Sequence, residues 1–147
     1  MPQEYEQLKL KNQLCFPLYA CARKIISAYT PYLKPLGLTY TQYIVFMALW
    51  ENDSLTVGQL GTILHLDTGT LSPLLKNLEK SGYITRTRSN QDERVMSICL
   101  TQKGLTLKET CKNIPFECAL QNKNLSQDEL KLLYELLYKF LGGPGAK

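Results

Sequence analysis

The hydrophobic positions of the chain follow a helical period at its start. Between residues 8 and 29, apolar side chains recur every three or four positions, which predicts an amphipathic helix. Pro17 lies inside this stretch, so we expect the helix to kink or break near Cys15. The segment 32–38, with prolines and a glycine in and beside it, predicts a connection to the next element.

Three more helical patterns follow the connection. Thr39 or Thr41 can cap a helix that ends near Asn52. A shorter helix is expected from Thr56 to about His65, and its apolar residues are expected to face inward: Val57, Leu60, Ile63 and Leu64. The third helix after the connection, which precedes Gly82, carries leucines at spacings of three and four residues. They form one apolar stripe: Leu71, Leu74, Leu75 and Leu78.

The start of the third helix has several candidate caps. Asp67, Thr68 and Thr70 all have side-chain oxygens that can accept a hydrogen bond from the first turn. Pro73 favours Thr70, because the proline would then lie in the first turn, where its missing N–H loses no partner. Gly82 is expected to close the helix.

The rest of the chain changes to a strand period and then back to a helical one. The runs 83–88 and 95–101 alternate and are rich in β-branched residues, and the polar SNQDER between them predicts a β-hairpin. A helix is expected to reach about Cys111 and to be interrupted by Pro115, and a last helix is expected over 126–141, starting at a capping box in SQDE. These elements predict a mainly α fold with a small antiparallel β-wing, a winged helix-turn-helix.

The third helix leaves a polar surface opposite its leucines. Short hydrogen-bonding groups lie near its start and lysines lie further along, as Thr70, Ser72, Pro73, Lys76, Asn77 and Lys80. Such a surface can enter the major groove of duplex DNA, with hydroxyl and amide groups on base edges and lysines on phosphates. The hairpin would bring Arg86, Arg88 and Arg94 alongside, where a narrow minor groove attracts guanidinium groups. Asp92 can hold Arg94 in one orientation through a charge-assisted hydrogen bond.

Charge supports this interpretation through its distribution. The formal net charge of +4 is mild, but five basic residues fall over 76–94, whereas 41–75 contains only three charged residues, all of them acidic. A leucine stripe with polar residues opposite is also typical of any surface helix. The ordered combination of two helices and a wing is therefore what indicates DNA binding.

The chain has five cysteines with no CxxC pair and a single histidine, a pattern that argues against a structural zinc site. We expect no metal and no other cofactor. The N-terminal residues are polar and partly acidic, unlike a secretory signal, and no apolar stretch is long enough to span a bilayer. We therefore expect a cytoplasmic protein with free thiols and no membrane partner.

The stretch from Leu64 to Gly104, which contains DTGTLSPLLKNLEK and NQDER, resembles the DNA-binding core of the MarR family. In that family a DxGTLxPLLKxLE recognition helix precedes a wing carrying DxR. The similarity extends from NQLCFPLYA through LTYTQYIVFMALWE to about Leu141, and within the family it is to the organic hydroperoxide resistance regulators. The resemblance implies a homodimeric repressor that binds a pseudo-palindromic operator in double-stranded DNA.

The resemblance also implies which residues meet the DNA. On the recognition helix the expected contacts are Thr68, Gly69, Thr70, Ser72, Pro73, Lys76 and Asn77. On the wing they are Arg86, Arg88 and Arg94, the last positioned by Asp92. We expect one domain over 1–147, with dimerisation helices over 1–38 and 102–147 around a DNA-binding lobe over 39–101.

In these regulators a cysteine near the start of the first long helix senses organic hydroperoxides, and tyrosine hydroxyls of the partner subunit hydrogen-bond to it. Cys15 matches the sensing position, and Tyr29 and Tyr40 match the two tyrosines. Tyr19, one helical turn after the cysteine, matches a further tyrosine. Hydrogen bonds from phenols stabilise a thiolate, which is the form that attacks a peroxide. Pro17 departs from the aliphatic residue expected at its position.

The resemblance leaves open how the oxidised thiol is resolved. Cys118 or Cys111, on either side of Pro115, lies where some members carry a cysteine that pairs with the sensor of the other subunit. A low-molecular-weight thiol is the remaining option. Cys21 is six positions from Cys15, too far along a helix for a disulfide, and Cys99 is expected to pack in a strand.

Two alternatives to the peroxide-sensing repressor stay open. The protein could be a regulator that answers to a phenolic or lipophilic ligand, or a redox regulator with a broader set of genes. It could instead be a thiol peroxidase whose cysteine turns over, although the wing and its arginines have no purpose in that case. We expect that the protein is not an enzyme.

Overall fold

A computed structural model describes residues 5–119 and 123–143. The elements in these residues are α1 (Cys15–Leu33), α2 (Tyr40–Glu51), β1 (Leu55–Thr56), α3 (Val57–Leu64), α4 (Thr68–Lys80), β2 (Ile84–Arg88), β3 (Met96–Leu100), α5 (Gln102–Cys111), α6 (Ile114–Ala119) and α7 (Gln127–Phe140). They form two compact units, Met1–Ile114 and Pro115–Lys147, which are described separately. The predicted class, mainly α with a small antiparallel sheet, is confirmed.

Helix α1 begins at Cys15, so the expected break near this residue is confirmed. Two short 3-10 turns precede it, and Pro17 lies in its first turn, where a missing N–H breaks no helical hydrogen bond. The helix continues through Pro31 to Leu33, so the expectation that the connection starts at residue 32 is wrong. The helical φ of proline allows this extension, and the buried Leu33 holds the last turn in the core.

Helix α2 is the central element of the first unit. Thr39 caps it in a capping box, in which the Thr39 hydroxyl accepts from the Gln42 N–H and the Gln42 side chain accepts from the Thr39 N–H. Its buried residues face several directions and form much of the core: Tyr43, Val45, Phe46, Ala48 and Leu49. Of the two predicted caps, Thr39 and Thr41, the structure uses Thr39, and the predicted end near Asn52 is confirmed.

Helix α3 is short and buries only one side. Thr56 caps it, again in a capping box with Gln59, and Leu60 is fully buried. Ile63 is 49% exposed, so the expectation that it faces inward is wrong. Because the helix has eight residues and packs on α2 and α4 along one side, a residue at the edge of that side stays in solvent.

The sheet has one strand more than the sequence indicated. Strands β2 and β3 form the predicted antiparallel hairpin, and β1 pairs with β3 on its other side, with Leu55 opposite Ile98. A two-residue strand is too short to show an alternating pattern, which is why it was not predicted. Its pairing attaches the start of α3 to the wing.

Helix α5 joins the wing to α2. Thr101 caps it, so it starts at Gln102, earlier than the expected start after Gly104. A Cβ on Gly104 would lie 2.5 Å from the Tyr83 carbonyl oxygen, so only glycine fits this approach. The indole Nε1–H of Trp50 donates to the Gly104 carbonyl at 3.0 Å.

The second unit contains most of α6 and all of α7. Helical structure is interrupted at residues 112 and 113, so the expected break between helices before Pro115 is confirmed, and Pro115 is the second residue of the short helix α6. A proline at the second position of a helix has no hydrogen bond to lose. Helix α7 starts at the predicted capping box, in which Ser126 and Glu129 exchange hydrogen bonds. Within the described residues, no helix is both apolar enough and long enough to cross a bilayer.

Helices α1 and α7 each carry several large apolar side chains on their surfaces. On α1 these are Phe16, Tyr19, Ile25 and Ile26. On α7, which has no buried residue, they are Leu132, Leu133, Tyr134, Leu136, Leu137 and Phe140. Apolar surface repeated along a helix face is typical of a face that packs against another protein chain.

Candidate nucleic-acid interface and thiol site

Helix α4 starts from a carboxylate cap. Asp67 accepts a hydrogen bond from the Thr70 backbone N–H at 2.7 Å, so the expectation that Thr70 is the cap is wrong. The earlier start places Pro73 in the second turn, where the hydrogen bond to the Gly69 carbonyl is lost. An anionic cap at the positive end of the helix compensates for that bond. The Thr70 N–H is the main reason that the pKa of Asp67 is below its ordinary value.

The polar surface predicted on α4 is present. Leu71, Leu75 and Leu78 are buried, and Leu74 at the edge of the stripe is half-buried. The predicted contact residues lie on the other side: Thr68, Gly69, Thr70, Pro73, Lys76 and Asn77 are exposed, and Ser72 is half-buried. The exposed groups are small and polar near the N-terminus and cationic further along, which suits entry into a major groove N-terminus first.

The end of α4 leads directly into the wing. Gly82, with φ of +80°, adopts the left-handed conformation that closes a helix. The Tyr83 N–H donates to the Leu78 carbonyl and the Gly82 N–H donates to the Glu79 carbonyl, the paired bonds of a Schellman motif. The predicted closure at Gly82 is confirmed, and β2 starts two residues later.

The wing tip presents one arginine in a defined orientation. The side chain of Arg94 is 91% exposed, and its Nε lies 3.2 Å from Oδ1 of Asp92. The same carboxylate accepts the Arg94 backbone N–H at 3.0 Å, and these contacts lower the pKa of Asp92. The predicted orientation of Arg94 by Asp92 is therefore present. Arg88 is exposed and donates to the Glu93 carbonyl at 2.7 Å.

Arg86 is not at the wing tip, contrary to the expectation that the hairpin brings it beside Arg88 and Arg94. It lies in the middle of β2, and its side chain forms an ion pair with Glu79 of α4, with Nη2 and Oε1 3.1 Å apart. Two features explain the difference: Arg86 shares a strand face with the buried Ile84, and it lies further from the wing tip than the exposed Arg88. The alternation of β2 is the signal in the sequence that could have predicted its inward direction.

Cys15 is exposed and is the first residue of α1. The expected position of this cysteine near the start of the first long helix is therefore present. Pro17, the unexpected residue, follows in the same turn without disturbing it.

Two of the predicted tyrosines meet each other. The rings of Tyr29 and Tyr40 are 5.2 Å apart in an edge-on arrangement, and both contact Tyr43. The helix places Tyr29 about 21 Å along its axis from Cys15 of the same chain. This tyrosine pair therefore cannot reach the thiol of its own subunit.

Tyr19 lies apart from that pair, in solvent. Its ring is exposed, and the guanidinium of Arg23 lies 5.5 Å from its centre. Arginine over a tyrosine ring makes a favourable cation–π contact. The structure therefore places the third predicted tyrosine near the start of α1, one turn from Cys15.

The other cysteines differ in access. Cys111 is buried, and burial raises its pKa. Cys118 is half-buried, and burial together with the carboxylate of Glu117 raises its pKa. Cys21 is exposed on α1, and Cys99 is half-buried in β3. In the part of the chain that the structure describes, no three His, Cys, Asp or Glu side chains converge as a metal site would require.

Three comparisons with known proteins bear on this arrangement. Residues 27–111 match the family described as transcriptional regulator SarA/Rot. The organic hydroperoxide resistance transcriptional regulator of Bacillus subtilis (strain 168) is 45% identical over 141 residues, which cover 96% of this chain and 95% of that protein.

Solved structures of transcriptional regulators are also similar to this chain. Reduced AbfR bound to DNA has a TM-score of 0.77 and 39% identity, covering 93% of this chain and 94% of that one. The disulfide form of AbfR, a protein of Staphylococcus epidermidis, has a TM-score of 0.65 and 38% identity over 93% of this chain and 92% of that one. A cysteine-to-serine mutant of MarR from E. coli, complexed with operator DNA, has a TM-score of 0.79 and 26% identity over 87% of this chain and 93% of that one.

The winged helix-turn-helix geometry and these relatives agree, and together they confirm the resemblance found in the sequence. The chain belongs to the SarA/Rot family of transcriptional regulators, within the MarR-like winged helix-turn-helix class, on the branch that includes the organic hydroperoxide resistance regulators.

Proposed function

We propose that this protein is a homodimeric transcription repressor that releases its operator when an organic hydroperoxide oxidises Cys15. The observation that carries the DNA-binding part is the fixed Arg94 at the wing tip beside the exposed polar surface of α4. The observation that carries the sensing part is the exposed thiol of Cys15 at the start of α1. The B. subtilis relative is named for organic hydroperoxide resistance, which supports this class of oxidant.

The DNA target follows from the geometry of the lobe. Helix α4 would enter a major groove, with Thr68, Thr70 and Lys76 facing base edges and phosphates, and Arg94 would enter the adjacent minor groove. One recognition helix reads only one half-site. A dimer related by twofold symmetry would read two half-sites about 34 Å apart in a pseudo-palindromic operator.

The dimer would form through the terminal helices. The exposed apolar side chains of α1 and α7 are the surfaces that we assign to it, within the dimerisation segments 1–38 and 102–147. The lobe over 39–101 would then bind DNA. A second subunit also completes the thiol site, because the Tyr29 and Tyr40 pair lies too far from Cys15 of its own chain. The partner subunit's Tyr29 and the partner's Tyr40 would donate hydrogen bonds to the thiolate.

The chemistry is a single oxidation of sulfur. The Cys15 thiolate attacks the outer peroxide oxygen, the O–O bond breaks, and the leaving alkoxide takes a proton to become an alcohol, while the cysteine becomes a sulfenic acid. A second thiol then attacks the sulfenic sulfur and water leaves, which gives a disulfide. The second thiol would be the partner subunit's Cys118 or a low-molecular-weight thiol, because Cys111 is buried.

The disulfide would move the helices that hold the dimer and change the distance between the two recognition helices. AbfR has been solved both reduced on DNA and as a disulfide, which supports a thiol switch of this kind. The protein is expected to consume peroxide once per thiol and not to turn over, unlike a peroxidase.

The decisive experiment is footprinting on the promoter next to the protein's own gene, with and without an alkyl hydroperoxide. The expected result is a protected pseudo-palindrome whose protection weakens with salt and disappears on oxidation. Protection that an alkyl hydroperoxide leaves unchanged would refute the sensing role. Salt-independent binding or no binding to the promoter would refute the DNA-binding role.

A further inference from the structure

The side chain of Arg86 lies on the inner face of the wing, the face that packs on the core. It is the central residue of β2, and its partner across the ladder is Ile98, which is fully buried. Partners across a ladder lie on the same face of a sheet, so the Arg86 side chain leaves the strand toward the interior. Only 22% of this side chain is exposed, although arginines on a DNA-binding surface normally extend into solvent.

The guanidinium of Arg86 ends at the last turn of the recognition helix. Its Nη2 donates to Oε1 of Glu79 at 3.1 Å. This hydrogen bond is the main reason that the pKa of Glu79 is below its ordinary value. The contact ties the C-terminal end of α4 to the middle of β2, across the turn that Gly82 closes.

Stability alone does not explain an arginine at this position. The Nε of Arg86 is buried and finds no acceptor among the residues that the structure describes. A buried donor without an acceptor costs folding free energy, and a partly exposed ion pair contributes little in return. What the pair does provide is a fixed angle between two elements that meet DNA in neighbouring grooves.

We propose that Arg86 is a positioning residue, whose ion pair with Glu79 holds the wing at the angle at which Arg94 enters the minor groove while α4 occupies the major groove. The inference rests on the proposed DNA-binding function and replaces the expectation that Arg86 contacts DNA itself. Holding the two elements in their bound arrangement before DNA arrives lowers the entropy lost on binding.

The test measures binding of the reduced, full-length protein to the footprinted promoter fragment over a range of salt concentrations. Four variants are compared with the wild type: Arg86→Gln, Glu79→Gln, the double variant, and Arg88→Gln. Arg88 is the matched control, because it lies on the same strand, is exposed, and is one of the wing residues expected to contact DNA. Circular dichroism verifies that each variant folds.

A positioning role predicts that Glu79→Gln weakens binding about three- to tenfold, although it removes a negative charge near the DNA. Arg86→Gln is expected to weaken binding by a similar factor. The salt slope, meaning the slope of log affinity against log salt concentration, should not change. The double variant should bind DNA no more weakly than Arg86→Gln. Arg88→Gln, in contrast, is expected to lower the salt slope by about one.

Two results would overturn the positioning role while leaving the proposed function intact. In one, Glu79→Gln leaves affinity unchanged or raises it, and in the other, Arg86→Gln lowers the salt slope as a phosphate contact does. If Arg86→Gln does not fold, the affinity of Glu79→Gln is sufficient to test the positioning role. Glu79→Gln is expected to fold, because it keeps the size of a partly exposed side chain. Absence of salt-sensitive binding by the wild type would instead refute the proposed function itself.

Discussion

The carboxylate of Asp67 lies 2.7 Å from the backbone nitrogen of Thr70, and this hydrogen bond starts the recognition helix. The bond holds the exposed Thr68, Gly69 and Thr70 in helical geometry at the end of α4 that would enter the DNA first. The cap is therefore a structural contact that also determines the shape of the candidate interface.

Acid is expected to weaken this cap. The folded-state pKa of Asp67 is below the ordinary value of 3.8, so its contribution to stability is present above 3.8 and is lost as pH falls through the lowered value. Asp67→Asn keeps a good capping group that does not titrate. Urea unfolding followed from pH 7 down to about pH 2 should show a steeper loss of stability in acid for the wild type than for the variant. Parallel curves would show that Asp67 does not contribute.

Arg94 is expected to be the strongest wing contact. Arg94→Gln should weaken operator binding by at least about tenfold and reduce the salt slope by about one. Asp92→Asn should weaken binding less and leave the slope unchanged, because the arginine stays but loses its orientation. Gel-shift titrations at several salt concentrations measure both quantities. Equal behaviour of the two variants would contradict separate roles.

Cys15→Ser should bind the operator as the wild type does and remain bound after treatment with an alkyl hydroperoxide. A serine hydroxyl has nearly the shape of the thiol but is not oxidised to a sulfenic acid. Cys21→Ser is the matched control, since this thiol is also exposed on α1, and it should still release DNA. If peroxide-treated Cys15→Ser released the operator, the result would instead indicate a second sensing residue or a ligand-responsive regulator.

Cys118 is expected to form a covalent dimer with the partner's Cys15 after oxidation. A non-reducing gel of peroxide-treated protein should show a dimer band that a reductant removes and that Cys118→Ser abolishes. Cys111→Ser should keep the band, because Cys111 is buried. A band that persists in Cys118→Ser would contradict this assignment, whereas no band in any variant would assign resolution to a small thiol.

Gly104→Ala is expected to destabilise the first unit by about 1–3 kcal/mol. Its Cβ would lie 2.5 Å from the Tyr83 carbonyl oxygen and 2.9 Å from Leu100 Cδ2, so backbone must move. Gly58→Ala is the control, because its Cβ meets nothing closer than 3.9 Å within a helix, where alanine is favoured over glycine. Urea unfolding measures both, and equal effects would contradict the steric account.

Most of the fold could be predicted because its elements follow local rules. The leucine stripe of α4, the hairpin, the cap at Thr39 and the capping box at Ser126 are set by neighbouring residues, and all are present. The start of α4 was predicted incorrectly because local proline rules favoured Thr70, whereas a carboxylate at the helix start outweighs one lost hydrogen bond.

The remaining differences depend on tertiary contacts. Helix α1 passes Pro31 because Leu33 is held in the core, and β1 exists only because β3 lies beside it. Arg86 was assigned to DNA by its charge, but its acceptor, Glu79, is seven residues away on another element. The access of solvent to each cysteine depends on burial, which spacing along the chain does not reveal.

The chain has one tryptophan, and its position makes it an optical reporter of the DNA-binding lobe. The Trp50 indole stacks on Phe46, which contacts Tyr83 at the start of the wing, and it donates a hydrogen bond to the first turn of α5. Any change in the packing of α2 against α5 and the wing alters the surroundings of this single tryptophan. We therefore expect the emission of the unlabelled protein to change as peroxide is added, if the proposed switch alters this packing.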